Sequence, residues 1–94
     1  MRKIEEAMCA AVKEHKNWNC KNTRVECEDN TVRVFLHGNQ IYKVVDGVKR
    51  FTLAGWNTVT TRSRLNALGV GVHTRNYEPT YKGQIIRIGA WYNV

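Results

Sequence analysis

The segment from Thr58 to Arg64 places hydroxyl and guanidinium groups at the predicted start of a helix. Thr58, Thr60 and Thr61 precede or open that helix, and Arg62 and Arg64 lie in its first turns. The first N–H groups of a helix have no backbone partner, and the helix dipole adds partial positive charge there. A phosphate at this end would meet free amides, hydroxyls and guanidinium groups. We therefore take the segment as the first candidate site. The alternative is that the threonines only cap the helix and both arginines are solvated.

Positive charge is concentrated in the second half of the chain. The protein has a net charge of +7 over 94 residues, and the part from Gly47 onward holds seven basic side chains against one acidic one, Glu78. A one-sided positive field attracts polyanions and speeds encounter with them. We expect folding to gather these cations into one surface around the start of the second helix: Lys49, Arg50, Arg62, Arg64, Arg75, Lys82 and Arg87.

Aromatic side chains alternate with this charge. Arg75, Tyr77, Tyr81 and Lys82 surround a predicted turn and would form an exposed tip able to enter a groove or follow a backbone. Exposed rings beside cations can stack on unpaired bases. The alternative is an ordinary hairpin tip. The larger rings are expected in the core: Phe51, Trp56 and Trp91.

Catalytic chemistry has little support in the sequence. The three histidines have no ligand spacing, and no Gly-rich phosphate loop, nucleophile elbow or zinc motif occurs. Glu26, Glu28 and Asp29 cluster as a solvated hairpin end, with a weak metal site as the alternative. The three cysteines are widely spaced and odd in number, which favours reduced thiols over a disulfide framework. We expect no enzyme, cofactor or metal.

The elements that position these residues can be predicted from periodicity. Apolar positions at helical spacing predict an amphipathic helix over residues 2–16 that ends in the stretch 17–20. Alternating segments predict strands, and a second short helix, capped by Thr60 or Thr61, is predicted to end at Gly69. The expected strands are residues 23–27, 31–36, 40–45 and 48–53, then a hairpin of 70–77 with 84–92. This order indicates a single α+β domain, residues 1–94, with an antiparallel sheet of about four to six strands.

Two segments carry a resemblance. The runs Val34–Ile41, with a Leu-His-Gly-Asn turn, and Ala54–Leu68, with Gly-Trp-Asn-Thr and Arg-Leu-Asn-Ala, resemble small uncharacterised proteins of tailed bacteriophages. The resemblance implies a viral accessory protein in the cytoplasm of an infected bacterial host, and it implies no activity. The order of elements is also similar to a double-stranded RNA-binding domain, with Arg62 and Arg64 in place of that family's phosphate-binding lysines. The lysine-rich motif of that family is absent.

These observations predict a small basic protein that binds nucleic acid, DNA or RNA, without catalysis and mainly through phosphates. The alternative is a phage-encoded inhibitor that binds a host protein, such as a defence complex or a polymerase, at an acidic or nucleic-acid-binding site. A third hypothesis is a virion-associated protein. No segment is long and apolar enough for a membrane span, and the sequence leaves a homodimer open.

Overall fold

A computed structural model describes residues 2–94. Its two helices and two antiparallel sheets confirm the α+β class. The larger sheet has six strands in the order β1-β2-β3-β4-β5-β9, and the smaller one has the order β6-β7-β8. The elements in chain order are α1 (Lys3–Glu14), β1 (Trp18–Cys20), β2 (Thr23–Glu28), β3 (Thr31–Leu36), β4 (Asn39–Val45), β5 (Val48–Phe51), α2 (Val59–Ala67), β6 (Val72–Arg75), β7 (Glu78–Tyr81), β8 (Gln84–Ile85) and β9 (Tyr92–Asn93).

The meander from β2 to β5 follows the predicted alternation. Val25, Val34 and Leu36 point to the face that both helices cover, and all three are buried. Two-residue turns join the strands, with Gly38 and Gly47 at φ +80°, a left-handed conformation that glycine adopts without steric cost. We call the helix-covered side of the six-stranded sheet its inner face and the opposite side its outer face.

The core lies between the inner face and a layer made of α1, α2 and the smaller sheet. Met8 of α1 and Leu65 of α2 are completely buried, as is Phe51 of β5. Tyr81 of β7 packs edge-on against Phe51, with 4.8 Å between the ring centroids. Both sheets and both helices therefore share one hydrophobic cluster.

Two predictions about the strands were wrong. Residues 18–20, expected to end the first helix, form the edge strand β1 and pair with β2. The tail is a three-stranded sheet in which β6 pairs with Glu78–Tyr81, a stretch expected to be a loop. Pro79 favoured the loop prediction, but its carbonyl accepts a hydrogen bond from the Ile86 N–H and the residue is buried. The last strand, β9, joins the larger sheet beside β5.

The likeness to a double-stranded RNA-binding domain is not supported. That resemblance rested on three strands between the two helices, whereas five strands, β1 to β5, lie between α1 and α2.

Candidate functional site

The cap of α2 is Thr58, two or three residues earlier than the predicted Thr60 or Thr61. Its Oγ1 accepts a hydrogen bond from the Thr61 N–H at 3.1 Å, and the hydroxyls of the two threonines lie 2.9 Å apart. Thr61 is buried and Thr60 is half-buried. The cap therefore occupies one of the amides that a phosphate at this helix start would have used. The structure agrees here with the capping alternative.

Arg64 does not reach the start of α2, contrary to expectation. Its side chain is 5% exposed, and its Nη1 lies 2.9 Å from Oε2 of Glu5, which is equally buried in α1. Its Nε also donates to Oγ1 of Thr23 at 3.0 Å. The guanidinium thus joins both helices to the sheet and has no free face for a partner.

The pKa of Glu5 reflects this environment. Burial by itself would raise the pKa of this carboxyl, but hydrogen bonds donated by Ser63 and Arg64 and the charge of Arg64 outweigh it, so the pKa lies below its usual value. Arg62 is half-buried, and its Nη1 donates to Oδ1 of Asn57. Neither predicted arginine is a freely solvated group at the helix start.

An open cavity of about 520 Å³ does lie beside that helix start. The two segments that carried the phage resemblance meet there, because His37 and Asn39 line one part and Trp56, Thr58 and Thr60 another. Among the described residues, no lysine, arginine, aspartate or glutamate lines the cavity. Trp56, predicted to be core, is 61% exposed.

The other predicted site residues do not form one surface. Lys49 and Arg50 are neighbours in β5 and so point to opposite faces of the sheet. Tyr81 is buried against Phe51, so the prediction of an exposed ring at this position was wrong. The remaining cations of the tail are exposed on the smaller sheet or just after it: Arg75, Lys82 and Arg87. The expected electropositive surface around α2 is therefore absent from the described part of the chain.

Positive side chains gather instead on the outer face of the six-stranded sheet. Arg33, Lys43 and Arg50 are direct cross-strand neighbours on β3, β4 and β5. Among the described residues, Lys43 and Arg50 have no carboxylate within ion-pair distance. Arg33 is 3.9 Å from a carboxylate oxygen of Glu28, at the edge of that range. We call these three residues the cationic row.

The cationic row opposes folding. Like charges directly opposite each other on adjacent strands destabilise a sheet by a few tenths of a kcal/mol up to about 1 kcal/mol per pair. The row contains two such pairs, Arg33 with Lys43 and Lys43 with Arg50. Neither pair serves the core, which lies on the other face. Glu26, directly opposite Arg33 on β2, offsets part of this repulsion, and an anion bound across the row would relieve the rest.

Two aromatic rings accompany the row on the outer face. The ammonium of Lys43 lies 4.3 Å from the centroid of the Trp91 ring, which is 38% exposed and not in the core as predicted. At the other side, the guanidinium of Arg24 lies 4.4 Å over the ring of Phe35, and it also contacts Glu26 at 3.2 Å. Among the described residues, the acidic side chains that contact cations on this face therefore lie toward β2.

Sequence reasoning missed Arg33 and Lys43 because it counted charge by halves of the chain. The signal was present: each cation alternates with inward-facing residues, Val32 and Val34 around Arg33, and Tyr42 and Val44 around Lys43. Combining the two strands with the Asp46-Gly47 turn would have placed both cations and Arg50 on one face.

Within residues 2–94, no group of three or more histidine, cysteine or acidic side chains is close enough together to bind a metal ion. The same residues contain no helix with the length and hydropathy of a membrane span. All three cysteines are free thiols.

Comparison with protein families gives a match over almost the whole chain. The model of a family described as Kyanoviridae Gp96 protein matches residues 1–93, so the chain belongs to this family of phage proteins. No curated protein and no solved structure matches the chain.

Proposed function

We propose that this phage protein binds nucleic acid without catalysis and that the cationic row on its outer sheet face contacts the phosphates. The observation that carries the proposal is the direct cross-strand placement of Arg33, Lys43 and Arg50. Three cations in adjacent strands repeat at the strand spacing of about 4.8 Å. A row of that length faces a few successive phosphates, and Trp91 beside it offers a ring to a base.

Phosphate binding of this kind is independent of sequence and depends strongly on salt. With three phosphates neutralised, the plot of log affinity against log salt concentration would have a slope of roughly −2 to −3, lower for single strands than for duplex. The affinity would be modest, because the row is short and nothing on the outer face reads base edges.

Neighbouring residues of β5 provide a matched test. Arg50→Glu reverses a charge in the cationic row, and Lys49→Glu reverses a charge on the opposite face one residue away. Both variants change the net charge equally. We expect Arg50→Glu to weaken binding to short oligonucleotides strongly and to reduce the salt slope by about one, because one phosphate contact is lost. Lys49→Glu should change binding only through the weaker long-range field.

Arg50→Glu should not destabilise the fold. Its cross-strand pair with Lys43 changes from repulsive to attractive. The variant should therefore unfold at the same temperature as the parent or higher. Fluorescence anisotropy with labelled oligonucleotides gives the affinities, and thermal unfolding followed by circular dichroism gives the stability. Equal losses of affinity in the two variants would mean that only net charge matters, and the outer face would then have no special part.

A second candidate function is inhibition of a host protein, and the exposed apolar residues at the start of α2 favour it. Trp56 is 61% exposed and Val59 is 65% exposed, and Trp56 lines the open cavity. Tryptophan is frequent among the residues that dominate protein interfaces. Pull-down from bacterial lysate after nuclease treatment tests this candidate: one stoichiometric protein should remain with the parent and be lost with Trp56→Ser. Loss of all captured material on nuclease treatment would instead favour the nucleic-acid function.

A further inference from the structure

We propose that Tyr77 stacks on an unpaired base, so that the protein prefers single-stranded to double-stranded nucleic acid. This inference rests on the proposed function and specifies the form of nucleic acid. It starts from the two-residue turn between β6 and β7, made by Asn76 and Tyr77. We call this turn with its tyrosine ring the Tyr77 turn.

The backbone of the Tyr77 turn is unfavourable for the residue that occupies it. Asn76 has φ +51° and Tyr77 has φ +66°, so both residues are left-handed, as in a type I′ turn. The second position of such a turn favours glycine, since a side chain there is strained. The other three two-residue hairpin turns with two positive φ values have glycine at this position: Gly38, Gly47 and Gly83. The Tyr77 turn is the exception within this chain.

The ring contributes nothing to the fold that would explain this strain. Tyr77 is 97% exposed, and no hydrogen bond or aromatic contact of its side chain is present in the described residues. A tyrosine in the place of glycine, with its ring entirely in water, is therefore unfavourable in the free protein. Because the ring makes no such contact within the described residues, we take contact with a partner as its role.

The small size of the turn favours a base over a protein surface. A stable protein interface buries about 800 Å² on each partner, which a two-residue turn cannot supply. One base can cover one tyrosine ring, and a stacked base contributes a substantial part of single-strand binding. Arg75 directly precedes the turn, and its direct cross-strand partner Glu78 directly follows it. Arg75 offers one guanidinium to a phosphate beside the stacked base, while Glu78 balances its charge in the free protein.

The experiment compares Tyr77→Gly and Tyr77→Phe with the parent protein. Tyr77→Gly makes the turn like the other three hairpins, so its melting temperature should be equal to or higher than that of the parent. Its affinity for a short oligothymidylate should fall about five- to a hundredfold, the range that corresponds to one stacked base. Affinity for a duplex at the same salt concentration should change less than twofold. Tyr77→Phe keeps a ring and should bind both probes as the parent does.

A direct readout accompanies the affinities. Titration with an oligonucleotide that contains the fluorescent base 2-aminopurine should show quenching by the parent and by Tyr77→Phe, and much weaker quenching by Tyr77→Gly. Arg50→Glu should weaken the binding of both probes, since it removes a phosphate contact.

The outcomes separate the stacking role from the phosphate contacts. If Tyr77→Gly binds oligothymidylate as tightly as the parent, the stacking role is overturned while the phosphate contacts stand, and the ring would then serve a protein partner. If the parent binds neither probe, the proposed function and the stacking role both fall. Equal losses for both probes would also overturn the preference for single strands.

Discussion

The buried pair between Glu5 and Arg64 leads to a prediction that separates a structural arginine from a functional one. Arg62 and Arg64 are two residues apart in α2 and looked equivalent in the sequence. In the structure Arg64 is buried with its guanidinium bonded to Glu5 and Thr23, whereas Arg62 is half-buried and bonded to Asn57. We therefore expect Arg64→Met to destabilise the protein strongly and Arg62→Met to leave its stability almost unchanged.

The magnitude for Arg64→Met follows from the fate of Glu5. Removing one partner of a buried ion pair leaves an uncompensated charge and costs about 3–5 kcal/mol. Each kcal/mol lowers the melting temperature of a domain of this size by about 4–8 °C, so the expected decrease is about 12–40 °C. Arg62→Met should cost less than about 1 kcal/mol, since it removes a partly exposed contact.

A double variant tests the reasoning further. Glu5→Leu in the Arg64→Met background removes the unpaired carboxyl, and replacing a buried pair by apolar side chains is often neutral or stabilising. The double variant should therefore be more stable than Arg64→Met alone, a strongly non-additive result. Urea unfolding followed by circular dichroism measures the parent, Arg62→Met, Arg64→Met, Glu5→Leu and the double variant. Equal stabilities for Arg62→Met and Arg64→Met would refute the argument, and Arg64 would return to the set of binding candidates.

Three further predictions concern stability and reactivity. The pKa of Glu5 is lower in the folded protein than its unfolded value of about 4.3. The stability that Glu5 contributes is therefore present above that pH and disappears as the pH falls through the folded pKa. Acid unfolding of Glu5→Gln should lack this loss of stability. Asn66→Ala should lower the free energy of unfolding by about 2–3 kcal/mol in urea titrations, because its side chain accepts from two backbone N–H groups and donates to the Val72 carbonyl. Burial raises the pKa of the Cys9 and Cys27 thiols, with the charge of Glu5 adding to the effect at Cys9, so both should react more slowly with iodoacetamide at pH 8 in the folded protein than in urea; equal rates would contradict their burial.

Much of the fold could be predicted because local rules determine it. Strands β2 to β5 alternate with a period of two, and the Gly38 and Gly47 turns fix their lengths, so the predicted and observed bounds differ by at most two residues. The smaller sheet could not be predicted in the same way. Pro79 and the polar residues around it are typical of a loop, and only tertiary packing of Tyr81 on Phe51 makes this stretch a strand.

The site was harder to predict than the fold, because it depends on which way each side chain points after the elements pack. The burial of Arg64 requires Glu5, 59 residues earlier, to face it across the two helices. Counting charge along the chain grouped Lys49 with Arg50, although adjacent residues of a strand face opposite sides. Residues that are close in sequence were therefore separated, and Arg33 was brought beside Lys43 and Arg50 by strand pairing alone.

Arg50 and Tyr77 share a property that Arg64 lacks, and it distinguishes function from folding. Each of the two breaks a local rule without any benefit to the core: Arg50 faces another cation, and Tyr77 occupies a left-handed position. Places where a sequence breaks such rules are often functional. If that holds here, Arg50→Glu and Tyr77→Gly should each raise or preserve stability while weakening binding. Arg64→Met should lower stability, and any loss of binding should follow unfolding. A variant of Arg50 or Tyr77 that gains stability and loses binding would thus assign that residue to a partner. A residue kept for folding would instead lower the stability of the protein when it is replaced.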